Sequence, residues 1–513
     1  MAGNRILPLA IVGSTIAILS GQWLRLVSRT VPGPYLDEVF HVRQAQLYCK
    51  GNFSFWDPKI TTPPGLYLIS YLVALVTGHC SILALRAVNC YELVCVAVLS
   101  LAIWRILKPN AKGGLDGVHD AINIALFPPL FFFSGLYYTD VFSTASALLT
   151  YKQFLDSDTT SNTLDMIVSG IIALLCRQTN VFWVAVFPAG LGVVRKLRGL
   201  GPQNRIWWEA RTLYEKGAGD AWVEDYVSIA CALAIAALAS FGPILRAIAP
   251  QLILLSLFGA FVVWNGGVVL GDKSNHVATV HLPQILYIWP YITFFSWPLI
   301  LNSILIPFLT AFTSNTPPRE AIIRAVKPPR ISTIVIFTTV ALATIHWNTI
   351  IHPFTLADNR HYIFYIFRLL RLHPTLLYAA APIYTLSAHL VLSSLSGPST
   401  SPSPPANPVP INCKPLPAPP PSTTASPMPT TTSFALILLG TTALSLVTAP
   451  LVEPRYFIIP WLLWRLHLPP QTRGALVLET LWMGAVNVAT VYVFLYRGFE
   501  WPQEPGKVQR FLW

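Results

Sequence analysis

Val31 to Tyr67 read VPGPYLDEVFHVRQAQLYCKGNFSFWDPKITTPPGLY, which gathers Asp37, Glu38, His41, Arg43, Asp57 and Lys59 directly after an apolar segment of membrane length. An adjacent carboxylate pair suits general-base work, since a carboxylate can take the proton of an attacking hydroxyl. Five further polar clusters interrupt an otherwise apolar chain. LYYTD brings Tyr137, Tyr138 and Asp140, and CRQTNVFW brings Arg177, Gln178 and Asn180. WNGGVVLGDKSNHVATVHLPQ brings Asn265, Asp272, Lys273, His276, His281 and Gln284. IHPFTLADNRHYIFYIFR brings His352, Asp358, Asn359, Arg360 and His361, and EPRYFIIPW brings Glu453 and Arg455. Cations on later loops, facing an acidic pair on the first, can hold a departing phosphate while a sugar hydroxyl attacks. A lipid-phosphate donor requires that cationic site at headgroup depth, where loops just outside membrane spans would place it.

Other chemistries lack their residues. No Gly-rich phosphate loop on a βαβ unit is present for a soluble nucleotide-sugar donor, and there is no paired-acid metal motif or GxSxG elbow. The histidines have neither HExxH nor HxxxH spacing, so no bound metal and no cofactor is expected. Seven cysteines, mostly inside apolar segments, form no CxxC or metal-ligand pattern and read as small buried hydrophobes.

The elements that must position these clusters are membrane helices. Of 513 residues, 54% are hydrophobic and 11% charged, against roughly 25% charged in a soluble domain. Apolar runs of bilayer-crossing length recur throughout, so the fold class is all-α, a polytopic transmembrane helical bundle. Spans are expected at 6–24, 119–136, 141–154, 166–194 (broken near its middle), 249–270, 284–311, 332–351, 373–395, 433–450 and 474–496, with one or two more in 66–107. The net charge of +12 comes with basic residues in inter-span loops, Arg195, Lys196, Arg198, Arg205 and Arg211 in one and Arg319, Arg324, Lys327 and Arg330 in another. That pattern marks cytoplasmic loops and gives no support for nucleic-acid binding. An even number of spans must lie between two cytoplasmic loops, so the Ala-rich stretch 226–246 is expected to lie at the interface. The same parity puts all six polar clusters on the opposite face, around one site. Ionisable residues at bilayer depth cost roughly 2.5–3.5 kcal/mol each, and for six clusters on one face a site explains that cost better than interface marking does. The Pro/Ser/Thr-rich stretch 397–432 divides the core into 1–396 and 433–513 and reads as a disordered cytosolic insertion.

PYLDEVFHVRQAQLYC, FWDPKITTPPGLY, FSGLYYTDV, RQTNVFW, NGGVVLGDKSNHVATVHLPQ, HPFTLADNRHYIFY, EPRYFIIPW and the C-terminal WPQEPGKVQRFLW together carry a resemblance. The chain resembles, from about residue 32 onward, the dolichyl-phosphate-glucose-dependent α-1,2-glucosyltransferases of the endoplasmic reticulum. These are membrane-embedded glycosyltransferases of the C type. The resemblance implies transfer of the terminal glucose to the diglucosylated, lipid-linked oligosaccharide of protein N-glycosylation, with dolichyl phosphate glucose as donor. It also implies a luminal active site and a catalytic acid in the first luminal loop, 25–65. That acid is expected at Asp37, with Glu38 as alternate or orienting partner, in a single inverting displacement. Arg177, Lys273, Arg360, His361 and Arg455 are candidate phosphate ligands by charge. His41, Trp56, Lys59, Tyr137, Tyr138, Gln178, Asn180, Asn265, His276, Gln284, Asn359 and Glu453 are candidates for the substrate pocket. Asp57, Asp140, Asp272 and Asp358 are expected to bind sugar hydroxyls or to pair with the cations. The rival readings are a related dolichyl-phosphate-mannose enzyme and a lipid-linked sugar transporter. A transporter would show midplane polar residues and internal repeats.

Overall fold

The computed structural model describes residues 3–110, 115–156, 160–200, 215–273, 279–313, 329–395, 430–449 and 451–513. His276, Arg205, Arg211, Arg319, Arg324, Lys327 and all of 397–432 except its last three residues lie outside them.

The chain is an all-α bundle. Helix α1 (Gly3–Thr30) buries Val12, Ile16, Trp23 and Val27, one stripe at helical spacing. Its partner is α4 (Ile82–Leu107), whose Leu93, Ala97 and Leu101 recur every fourth residue and are fully buried. Between them lie a short loop helix α2 (Glu38–Cys49) and α3 (Gly65–Thr77), so 66–107 resolves into two helices. The next expected span, 119–136, is instead two short helices, α5 (Val118–Ala125) and α6 (Pro128–Ser134). Pro128 and Pro129 have no amide hydrogen to continue α5, and Pro128 serves as the first residue of α6. α7 (Thr139–Leu155) and α8 (Thr160–Cys176) pair side by side. The expected break falls at Arg177–Val181, after which a π-turn (Phe182–Val186) leads into α9 (Phe187–Leu200).

α10 (Val223–Ala239) and α11 (Phe241–Ala247) are bent by 98° at Ser240. Ala236 and Ile244 of this pair both pack on Leu197 near the end of α9. Gly217, just before α10, pairs with Thr431 at the start of a later helix on that same end. The bent pair therefore leaves and rejoins one end of the bundle. There follow α12 (Ala249–Asn265), α13 (Gln284–Thr313, kinked at Ser296) and α14 (Ile331–Asn348). Three short helices come next, α15 (Pro353–Ala357), α16 (Tyr362–Leu370) and α17 (Pro374–Ala379). The chain closes with α18 (Ala381–Ser393), α19 (Thr432–Leu446), α20 (Ile458–His467), α21 (Arg473–Tyr496) and a two-stranded ribbon, β1 (Phe499–Glu500) and β2 (Val508–Gln509). Six helical segments among the described residues are long and apolar enough to cross a membrane; four further apolar helices are shorter. The chain is a multi-pass membrane protein.

The two ends of the bundle differ. One gathers the loops after α1, α6, α8, α12, α14, α19 and α21. The other holds Arg195 and Arg198 of α9, together with a buried ion network in which Arg465 pairs with Asp120 at 2.9 Å and Glu479 at 2.8 Å. Asn123 donates to the same Glu479 carboxylate at 2.8 Å. In the core between them Phe127 stacks on Trp461 at 3.7 Å, and the Trp461 indole donates to Ser296 at the kink of α13.

The cysteines correct one expectation. Cys90 and Cys176 are buried thiols, as small hydrophobes would be, but Cys49 and Cys80 form a disulfide. It ties the end of α2 to the turn before α4 across 31 residues of chain. A loop of that length supports roughly 3.7 kcal/mol of stabilisation. Cys80→Ser is accordingly expected to lower the unfolding midpoint and to abolish its sensitivity to dithiothreitol. An unchanged midpoint in thermal unfolding of the detergent-solubilised variant would contradict this.

Candidate active site

Asp37 stands at the N-cap of α2, and the turn before it is unusual. Leu36 has φ +52°, a left-handed backbone that a branched side chain rarely adopts. Such strain persists only where surroundings hold it. Glu38 is the main holdfast. Its side chain is fully buried, and it accepts from Arg86 at 2.9 and 2.6 Å, from the Tyr35 amide at 3.0 Å and from the Tyr137 amide at 2.6 Å. Arg86 also donates to the carbonyls of Val31 and Gly33, closing the turn from behind. The acidic doublet is thereby divided. The Glu38 carboxylate is saturated, whereas the Asp37 side chain is 51% exposed and makes no capping bond.

Asp37 faces a set of charges from three other elements. Arg455, in the turn Pro454–Phe457, lies 3.6 Å from Asp37, 3.8 Å from Asp140 and 2.6 Å from Glu453. Arg177, at the break after α8, reaches Asp140 at 2.6 Å. Asp140 opens α7 with its side chain fully buried, and its Oδ2 accepts no hydrogen bond. Tyr138 and Phe133 lie beneath the Arg455 guanidinium, and Tyr456 beneath that of Arg177. Burial works against the charge on Arg455, yet Glu453, Asp140 and Asp37 hold its pKa well above the ordinary value. His41, one turn into α2, shares a 2.5 Å hydrogen bond with the Tyr67 hydroxyl. Burial lowers its pKa; Asp37 and Asp140 oppose that shift while Arg455 and Arg177 reinforce it. A half-open carboxylate therefore sits beside Arg455, and Arg177 joins the same cluster through Asp140, which both arginines approach. The carboxylate can accept a proton, and the arginines can neutralise a leaving anion.

The remaining expected residues fall into two neighbouring groups and a supporting frame. In the first group Arg360 forks onto Asp358 at 2.8 and 2.7 Å, stacks on Trp501 and donates to Gln509. His361 lies 3.7 Å from Asp358, and Asn359 accepts from the Trp501 indole. Burial raises the Asp358 pKa, but two hydrogen bonds from Arg360 together with the charges of His361 and Arg360 lower it overall. The second group joins the first loop to the loop after α12. The Asp272 amide donates to the Pro58 carbonyl at 2.8 Å, and Gly271, at φ +65°, approaches the Pro58 and Ile60 carbonyls too closely for any side chain. Lys273 donates to the Asn265 carbonyl, while Asn265 itself ties down the carbonyls of Gly267 and Val269. Lys59 is exposed here.

The frame is a set of side chains bonded to one another and to the main chain of these loops. The Asp57 carboxylate accepts from the Lys59 amide to close a turn, and the Asp57 amide donates to the Gln44 side-chain oxygen. Trp56 donates to the Ile60 carbonyl, and Gln178 to the Thr61 carbonyl. Tyr137 bonds Ser70, Asn180 bonds Ser143 and the Ala173 carbonyl, and Gln284 secures the carbonyls of Ala449 and Leu451. Among the described residues no group of three or more His, Cys, Asp or Glu is placed to hold a metal ion.

Arg86, Tyr67, Tyr456 and the residues around Arg510 also frame the site, although the sequence reading passed over their roles. Arg86 carried a signal, being an arginine inside an apolar run where it is costly unless paired. Tyr67 and Tyr456 carried none, because an aromatic beside a membrane is ordinary.

The chain is similar over most of its length to proteins of one family. The model of the DIE2/ALG10 family matches residues 31–466. A protein of Aspergillus fumigatus named Dol-P-Glc:Glc(2)Man(9)GlcNAc(2)-PP-Dol alpha-1,2-glucosyltransferase is 40% identical, covering 97% of both chains. Its namesakes in Emericella nidulans and Mus musculus are 41% and 30% identical, over 96% and 95% of this chain and 96% and 94% of their own. The apo oligosaccharyltransferase of Archaeoglobus fulgidus superposes on 75% of this chain and 50% of its own, with 13% identity and a TM-score of 0.28, too loosely to carry residue correspondences. With Asp37, Asp140, Arg177 and Arg455 all inside the matched region, the chain belongs to the DIE2/ALG10 family.

Proposed function

We propose that this chain transfers glucose from dolichyl phosphate glucose, in α-1,2 linkage, to the dolichyl-diphosphate-linked oligosaccharide that already bears two glucoses. The relatives' names supply the reaction, and the observation that carries it here is Asp37, half exposed and 3.6 Å from Arg455. Asp37 accepts the proton of the acceptor hydroxyl as its oxygen bonds to the anomeric carbon. The bond from that carbon to the phosphate oxygen breaks on the opposite face, and the phosphate leaves with the electron pair. Arg455 and Arg177 meet its charge, with no metal ion or cofactor required. Displacement from one face inverts a β-linked donor to an α-linked product.

The site faces the lumen of the endoplasmic reticulum. Two observations support that side. Arg195 and Arg198 mark the other end of the bundle as cytosolic, and the Cys49–Cys80 disulfide beside the site belongs in an oxidising compartment.

The test is transfer by the purified protein in EDTA, with donors carrying glucose or mannose and with the diglucosylated acceptor. Glucose transfer giving an α-1,2 product is expected. Mannose transfer, no transfer, or transfer only with added divalent metal would each defeat the corresponding part of the reading. Within the site, Arg455→Lys keeps the charge but loses the fork, and kcat is expected to fall about tenfold, the worth of one charge-assisted hydrogen bond. An undiminished kcat would remove Arg455 from the phosphate site.

A further inference from the structure

The strained turn before Asp37 is held from two directions, and only one of them is the Glu38–Arg86 pair. Tyr35 supplies the other. Its hydroxyl donates to the Arg510 carbonyl at 2.8 Å and accepts the Arg510 amide hydrogen at 2.7 Å. Its ring meets Phe494 edge-on at 5.7 Å. The segment that receives Tyr35 is itself tied down. The Arg510 guanidinium donates to the carbonyls of Phe494 and Leu495 at the end of α21, each at 2.8 Å. The Leu512 amide donates to the Arg360 carbonyl, and the Leu512 carbonyl accepts from the Tyr362 amide. The Gln509 side chain accepts from Arg360.

We propose that residues 508–512 are a strap that positions Asp37 for the reaction, acting through Tyr35, which is a positioning residue and not a catalytic one. The geometry explains why the strap is needed. Leu36, between Tyr35 and Asp37, has the left-handed φ of +52°, so relaxing it would swing the Asp37 carboxylate relative to Arg455. Glu38 fixes the main chain on both sides of Leu36, through Arg86 and through the Tyr35 amide, which donates to it at 3.0 Å. The strap fixes the Tyr35 side chain through two hydrogen bonds to main-chain atoms of Arg510. Main chain and side chain of the strained turn are thus held separately.

The proposal rests on Asp37 being the base, and its test separates the two ideas. Tyr35→Phe removes the hydroxyl and keeps the ring against Phe494. Amide hydrogen exchange over residues 35–41 is expected to accelerate at least tenfold, while the unfolding midpoint stays within about 1 °C of wild type. In the transfer assay kcat is expected to fall about tenfold to a hundredfold, the scale on which small misplacements act, with the donor KM unchanged. Arg510→Ala preserves the main-chain bonds to Tyr35 and should give a smaller effect of the same kind. Lys507→Ala, exposed on the same segment, should give none. Unchanged exchange over 35–41 in Tyr35→Phe would overturn the strap, whether or not the protein transfers glucose. Faster exchange with an undiminished kcat would refute its role in positioning. Failure of the wild type to transfer glucose would count against the proposed reaction, leaving exchange to decide the strap.

Discussion

Asp37→Asn is expected to lower kcat for glucose transfer by about 10²–10⁴-fold, the usual contribution of a general base. The substitution is nearly isosteric, and Asp37 makes no capping bond whose loss would disturb α2. What it removes is the capacity to take a proton and one negative charge beside Arg455. Removing that charge frees Arg455 for the donor phosphate, so the donor KM should hold steady or fall. Single-turnover transfer from a saturating donor separates these quantities. A variant retaining more than a tenth of wild-type kcat would show that Asp37 is not the base. Glu38 is a poor substitute for it, because four hydrogen bonds occupy its carboxylate.

Arg86→Met should destabilise the fold by about 3–5 kcal/mol, the cost of removing one partner from a buried ion pair. Both Arg86 and Glu38 have no exposed side-chain surface, so the orphaned carboxylate has no solvent to turn to. The carbonyls of Val31 and Gly33 lose their donor in the same step. Adding Glu38→Gln in the double variant removes the stranded charge, and the loss should be smaller than that of Arg86→Met alone, a non-additivity expected of residues in one network. Thermal unfolding in detergent measures both. A single variant as stable as wild type would mean that the pair contributes nothing to the turn.

Much of the site could be read from the sequence because polar residues are conspicuous in an apolar chain. Asp37, Asp140, Arg177 and Arg455 come from four separate clusters and meet within hydrogen-bonding or ion-pairing distance. Their one-sidedness followed from span parity and the basic loops. The division of labour within the doublet did not. Asp37 and Glu38 are neighbours of like chemistry, and only the helix start at Glu38 decides which carboxylate turns inward to Arg86. Arg360 and Lys273 looked equal to Arg455 by charge, and what separates them is place: Arg455 pairs with Glu453 as Arg360 does with Asp358, but of the three it is Arg455 that lies 3.6 Å from Asp37. Hydropathy overstated one plain span, 119–136: it registers apolar length but not the Pro128–Pro129 interruption. The Cys49–Cys80 pairing could not be read because 31 residues of separation carry no signature.

The Tyr35–Arg510 hydrogen bonds also carry a consequence in time. Their partners stand 475 positions apart, and the Arg465–Asp120 pair spans 345. At roughly 5–20 residues per second of synthesis, Asp120 waits about 17–70 seconds at the membrane for its arginine, and Tyr35 about 24–95 seconds for its strap. During that interval the first loop has its Cys80, Arg86 and Tyr137 partners but not the bonds from Arg510. The bonds that hold the Tyr35 side chain are therefore among the last that this chain can form, completed only once Arg510 has been made.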